Sequence, residues 1–231
     1  MSDLARLLRH LPVASPLPFD LNARPVLALD LSERNPNLGG FDPADTPRFS
    51  AWVRDQLRYG AADYAAGGYG EDRGLYRMSR HFDGGGEEAR TLHLGIDLWL
   101  AAGTAVHCVL AGRVHSLRDN AVFGDYGPTV ILEHVYEGQR FQTLYGHLAR
   151  TTLPRLTVGQ PLAAGELLGW LGEEHENFGW PPHLHFQIIR DIGERQGDYP
   201  GVCKPSEAAQ WLADSPDPNL LLRIAALEPR S

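Results

Sequence analysis

Cysteine is scarce: Cys108 and Cys203 are the two in 231 residues. Two are too few for a disulfide framework, and neither belongs to a CxxC pair, so both are expected as buried, reduced thiols. Long apolar runs are missing as well. No stretch approaches 18 consecutive apolar residues, which excludes a membrane-spanning helix. Positive charge is in deficit, with a formal net charge of -8, so nucleic acid and anionic membrane surfaces are not expected partners. The first ten residues place Asp3, Arg6 and Arg9 among leucines and lack the apolar stretch and cleavage site of a secretory signal. The expected location is cytoplasmic, or periplasmic or secreted if a leader has been removed. The apolar fraction of 43% and the charged fraction of 22% are those of an ordinary globular protein. The length suits one large domain, or one domain with a sizeable extension.

Against this background the histidines stand out. His183-Leu184-His185 follows Pro181-Pro182 and precedes Phe186-Gln187-Ile188-Ile189. Aromatic and β-branched residues after a proline break predict a strand. Residues i and i+2 of a strand point to one face, roughly 6–7 Å apart. In a helix they would diverge by about 200° and could not share a site. Ninety residues earlier stands His93-Leu94-Gly95-Ile96-Asp97. Four extended residues cover roughly 13 Å, so His93 and Asp97 reach one ion only if the chain bends. Gly95 permits that bend. The two stretches together predict a three-ligand zinc site with histidines to spare, the makeup of a catalytic rather than a structural centre.

Residues 1–88 differ in texture from the rest. A helix is expected over residues 3–11, then an extended path set by Pro12, Pro16, Pro18 and Pro25. A strand is expected at 26–31 and a turn-rich loop at 35–40. Thr46-Pro47 reads as N-cap and first helical residue of a helix running to Tyr59 and stopping at Gly60, burying Phe49, Trp52, Val53 and Leu57. Gly84-Gly85-Gly86 marks a flexible tip. From about residue 90, short strands alternate with turns: 105–117, 129–136, 140–148, 167–171 and 183–189. The second and third form a hairpin through Glu137-Gly138-Gln139. Few helical stretches interrupt the series, so an antiparallel architecture is expected rather than a parallel βαβ sheet. Short helices are expected at 205–212 and 220–227. The expected organisation is an N-terminal extension over 1–88 packing on the core, a core over 89–192 and a C-terminal extension over 193–231.

The second hairpin strand ends Tyr145-Gly146-His147-Leu148. With it in place, the chain resembles the lysostaphin/LytM family of zinc metalloendopeptidases, recognised by HxxxD, YxHL-like and HxH motifs in that order. Here they stand as His93…Asp97, Tyr145-Gly-His147-Leu and His183-Leu-His185, and the resemblance covers about residues 90–190. It implies a mainly β fold with an antiparallel sheet or sandwich catalytic core of the LytM type, framed by a mostly irregular N-terminal extension and short helices. It implies Zn2+ held by His93, Asp97 and His185, and proton handling by His147 and His183. The implied activity is hydrolysis of a peptide or amide bond by metal-activated water. Family members usually cut peptide cross-links in bacterial cell walls. Here the substrate is expected to be a cell-wall-like or an intracellular peptide.

Tyr145 reads equally as a substrate contact or a half-buried strand aromatic. His175 and Trp180 lie on the loop ahead of HxH and are candidate groove residues, while His107, His115 and His134 read as surface or satisfied core residues. Trp180-Pro181-Pro182 stands where the family more often has a small Gly-Pro run. Because some family members carry a blocking N-terminal segment, the loop at 35–40 is a candidate internal plug. The competing class is a catalytically silent metal-binding module that keeps the fold. Intact motif residues favour the enzyme, and the sequence leaves the oligomeric state open.

Overall fold

The computed structural model describes residues 3–38, 45–73, 76, 88–122, 124–177 and 179–228. Its strands are β1 (Val26–Ala28), β2 (Tyr64–Gly67), β3 (Leu92–His93), β4 (Ile96–Trp99), β5 (Ala105–His107), β6 (Gly112–Asn120), β7 (Gly127–Tyr136), β8 (Gln139–Gly146), β9 (Pro161–Leu162), β10 (Leu167–Trp170), β11 (His183–Ile189) and β12 (Val202–Cys203). Eight form one sheet in the order β1-β2-β4-β11-β8-β7-β6-β9, and the pairs β10-β5 and β12-β3 form two small ones. Every pairing is antiparallel except β1 with β2. The protein is therefore mainly β, built on an antiparallel sheet with short helices.

The hairpin between β7 and β8 pairs Tyr136 with Gln139. Its two loop residues, Glu137 and Gly138, have φ of 48° and 75°. Positive φ at both positions matches the twist of the flanking strands, and glycine adopts it without steric cost. The expected strand at 105–117 is two strands, because the chain turns between β5 and β6. On β11, Leu184, Phe186 and Ile188 enter the main core with Tyr145, Val130 and Leu98, while His183 and His185 face the other way into a cleft. This alternation is the period-2 pattern of a strand with two occupied faces.

The N-terminal segment contributes more regular structure than its prolines suggest. Helix α1 (Asp3–His10) buries Leu4, Leu7 and Leu8, an i, i+3, i+4 stripe that joins the main core with Leu220–222. Burial of each leucine contributes roughly 1.5–3 kcal/mol. Helix α2 (Thr46–Tyr59) buries Phe49 and Val53, with Trp52 and Leu57 partly covered. Its N-cap is Asp45, whose carboxylate accepts from Arg48 N. Thr46 is the first helical residue rather than the cap, because Asp45 already supplies the capping oxygen. Strand β2 carries no sequence signal: Tyr-Ala-Ala-Gly has no β-branched residue, yet all four residues are buried between β1 and β4. Farther on, α3 (Ala208–Asp214) follows a short 3-10 turn at Pro205–Glu207. The expected helix at 220–227 is broken: α4 (Asn219–Leu222) stops at Arg223, which is left-handed at φ 52°. Cys108 and Cys203 are buried and free. No helix among the described residues is long and apolar enough to cross a membrane. Gly84-Gly85-Gly86, Gly39 and Gly40 lie outside the described residues.

Candidate metal centre

Strand register assembles the site. On β11, His185 lies opposite Asp97 of β4 on one side and Gly146 of β8 on the other. His147 directly follows β8, so it stands beside His185. His93 ends β3, and the chain breaks at Leu94-Gly95 before β4 begins. The bend brings His93 Nε2 to 3.4 Å from Asp97 Oδ1. Gly95 matters here for space: a Cβ on it would lie 2.5 Å from His185 Cε1, 2.6 Å from Nε2 and 2.9 Å from the Phe186 carbonyl. The His185 ring rests where a side chain at 95 would be.

His93, Asp97 and His185 converge. His93 Nε2 is 3.0 Å from His185 Nδ1, which is 3.1 Å from Asp97 Oδ1. All three residues are at most 2% exposed. The network assigns the ring protons. His93 Nδ1–H donates to the Gly68 carbonyl at 3.3 Å. His185 Nε2–H donates to Gln187 Oε1 at 2.9 Å. The Gln187 amide is itself fixed, because its Nε2 donates to Pro200 O and Ser215 Oγ. Two imidazole lone pairs and a carboxylate oxygen therefore face one another in a buried space. Burial, reinforced by Arg73, lowers His93 from 6.5 to about 3, so a proton does not fill that space near neutral pH. Burial opposes ionisation of Asp97, but His93 and Arg73 more than offset it and hold the carboxyl well below its usual range. Such a donor set satisfies itself by sharing a cation. Ligand atoms around tetrahedral zinc, with bonds of about 2.0–2.1 Å, lie roughly 3.3 Å apart, close to the separations seen here. Two nitrogens and one carboxylate oxygen also fit zinc chemically.

His147 and His183 flank this cluster. Their rings are 4.0 Å apart, centroid to centroid. His183 Nδ1–H donates to the Pro181 carbonyl at 2.7 Å, leaving Nε2 as a lone pair 3.8 Å from Asp97 Oδ1. Trp99 stacks on His183 at 4.2 Å, nearly parallel, and fixes its plane. Burial lowers His183 to about 4 although Asp97 opposes this, and burial with His183 and His185 holds His147 well below 6.5. Both imidazoles are neutral at pH 7. His147 sits at φ 60°, an uncommon left-handed backbone for a non-glycine residue. Its backbone N–H donates to Tyr126 O, and its carbonyl accepts from Gly172 N. These bonds turn the side chain out of β8 toward the cluster.

The five residues line a cleft of about 440 Å³ together with Arg73, Tyr76, Tyr126 and Trp180. Trp180 thus stands in the wall, and the Trp-Pro-Pro lead-in supplies the Pro181 carbonyl that orients His183. Tyr145 does not line the cleft. It is fully buried, packs on Phe186 at 5.2 Å and accepts from Val109 N at 2.9 Å, because its position on β8 faces the core. His175 is exposed and outside the cleft. His134 is a satisfied core residue, bonded to the Ala111 carbonyl and Thr143 Oγ1. Of the candidate plug at 35–40, residues 35–38 are not in the cleft lining; Asn35 is tied to the Asp30 carbonyl.

Four site residues escaped the sequence reading. Gln187 carried a usable signal, since it lies two residues beyond His185 on the same strand face. Tyr126 carried none. Its hydroxyl is 3.5 Å from His185 Nε2, and its ring packs so closely on Gly146 and Gly201 that a Cβ at either would clash. Arg73 and Tyr76 come from a segment with no motif.

The model of peptidase family M23 matches residues 91–197. No curated protein matches the chain. Among solved structures, the chain is similar to a zinc-containing peptidase from Vibrio cholerae at 24% identity and TM-score 0.36, covering 42% of this chain and 27% of that one. It is similar to the catalytic domain of the antimicrobial peptidase lysostaphin from Staphylococcus simulans at 21% identity and TM-score 0.41, covering 70% and 97%. A third is the catalytic domain of the prophage-encoded M23 protein EnpA from Enterococcus faecalis, at 20% identity and TM-score 0.40, covering 62% and 89%. The chain thus spans about a quarter of the Vibrio cholerae protein. These likenesses add nothing to the family match, which rests on the segment holding all five motif residues. Residues 91–197 thus match peptidase family M23, and this match supports a lysostaphin/LytM-like family for that segment.

Proposed function

We propose that the protein is a zinc-dependent metallopeptidase that hydrolyses a peptide or amide bond. The observation that carries this reading is the buried meeting of two imidazole lone pairs and one carboxylate oxygen at 3.0–3.4 Å, beside two further neutral histidines. His93 Nε2, Asp97 Oδ1 and His185 Nδ1 would hold the ion. Zinc in a three-ligand site supplies Lewis-acid polarisation of a scissile carbonyl and acidifies water toward a pKa of about 7.

The remaining work belongs to the chain. Gly68 O and Gln187 Oε1 fix the tautomers of the two ligand histidines, so each presents a lone pair without rearrangement. His183 Nε2, oriented by Pro181 and Trp99, is a free base facing the cluster and can accept a proton from attacking water. The proton taken up by His183 can return to the leaving amine, while His147, at stacking distance from His183, stands where an N–H can hydrogen-bond the oxyanion. Trp180 and Tyr126 line the cleft beside these groups.

The test is hydrolysis of glycine-rich and cell-wall peptides by zinc-loaded protein, with chelator-treated protein as control. Chelator-sensitive cleavage is expected. His147→Ala should retain zinc while lowering turnover about 10²-fold or more, and full activity in that variant would reassign His147 to structure. Stoichiometric zinc with no turnover on any peptide would instead indicate a silent metal-binding module.

A further inference from the structure

The segment ahead of the family match forms one wall of the metal centre. Strand β2 places Gly67 opposite Asp97. The chain then runs back along His93: Gly70 N donates to His93 O, and His93 N donates to Glu71 O, both at 2.9 Å. Arg73 N donates to Thr91 O, which carries the Arg73 side chain behind Asp97. There Arg73 is 1% exposed. Its Nη1 donates to Asp97 Oδ2 and to Tyr76 Oη, each at 2.7 Å, and its Nε donates to Glu71 Oε2 at 2.8 Å. Glu71 Oε1 in turn accepts from Leu31 N at 3.0 Å. A continuous polar chain thus runs from Leu31, beyond β1, through Glu71 and Arg73 to the carboxylate that faces both histidines.

We propose that Arg73 is a positioning residue for the metal centre: by occupying Asp97 Oδ2 it leaves Oδ1 alone to the ion. This inference rests on reading His93, Asp97 and His185 as the zinc site. A carboxylate can bind a metal through one oxygen or two. A catalytic zinc site needs three protein bonds and an open position, and a second Asp97 bond would occupy that position. Charge-assisted bonds near 2.7 Å from a planar, pre-organised guanidinium hold Oδ2 away from the ion. The functional unit accordingly extends upstream of residue 91, to include Gly67 to Arg73 at least.

The test uses the full chain with Arg73→Met and Arg73→Lys. Zinc affinity is read by competition with a chromophoric chelator, and coordination number by the visible spectrum of the cobalt(II)-substituted protein. Arg73→Met should weaken zinc binding about 10–100-fold and weaken the cobalt bands as Asp97 Oδ2 joins the ion and the coordination number rises. Arg73→Lys keeps a buried cation, but one nitrogen cannot reproduce the fork to Asp97, Glu71 and Tyr76. It should fall between Arg73→Met and the wild type in both readouts. Thermal unfolding of the metal-free proteins identifies folded variants, and Arg73→Lys decides if Arg73→Met does not fold. A folded variant with wild-type zinc affinity and an unchanged cobalt spectrum overturns the role of Arg73. A wild-type protein that takes up neither metal overturns the metal-site reading itself, a different and recognisable result.

Discussion

Gly95→Ala probes the centre with a single methyl group. The added Cβ would lie 2.5 Å from His185 Cε1, 2.6 Å from Nε2 and 2.9 Å from the Phe186 carbonyl oxygen. Ordinary carbon contacts sit at about 3.5–4.0 Å, so the ring must withdraw by about 1 Å or β4 must separate from β11. Neither path is open. Gln187 holds the ring at Nε2 from 2.9 Å, Tyr126 stands behind it at 4.9 Å between centroids, and the strands are paired through His185 and Asp97. Overpacking of this kind costs about 1–3 kcal/mol. If half or more of that strain falls on the placement of Nδ1, zinc affinity falls about 3–100-fold at 1.4 kcal/mol per decade. Chelator competition gives the affinity, and thermal unfolding of metal-free protein gives the part borne by the fold. Zinc affinity within twofold of wild type, with an unchanged melting temperature, would refute the claim that Gly95 exists to admit the His185 ring.

Two further outcomes are expected. Gln187→Leu removes the acceptor for His185 Nε2–H and should weaken zinc binding about 10–100-fold by freeing the tautomer; unchanged affinity would remove Gln187 from the site. His134 gives a pH test away from the centre. Burial lowers it from 6.5 to about 4, so the unfolded chain binds its proton first as pH falls. Its contribution is fully present above pH 6.5 and is lost between there and about 4, by about 3 kcal/mol. Urea unfolding of metal-free His134→Gln at pH 7 and pH 4 should show a correspondingly smaller acid loss than wild type, and equal losses would contradict this account.

The parts of the fold that were legible in the sequence are those written in local pattern. Strand β11 begins at His183 and ends at Ile189 as expected, because Pro182 stops what precedes it and alternation specifies both faces. The β7–β8 hairpin follows from Glu137-Gly138, and the break at Gly95 from the need of His93 and Asp97 to meet. The rest depended on tertiary context. The low β-propensity of Tyr64 to Gly67 is overridden by burial between two strands. Tyr145 sits in a recognisable motif, yet its strand parity turns it into the core. Arg73 is separated from Asp97 by 24 residues and carries no periodic mark, so only the fold shows that it faces the carboxylate. Tyr126 is positioned by two glycines, Gly146 and Gly201, whose role is visible only through the ring they admit.

The most direct test of the zinc-centre reading is the zinc content of the full chain after zinc loading and dialysis, measured beside His185→Ala treated identically. One zinc per wild-type chain and its loss in His185→Ala are predicted, since the variant removes one of three converging ligand atoms. Absence of zinc from the wild type, or full retention in His185→Ala, would contradict the account.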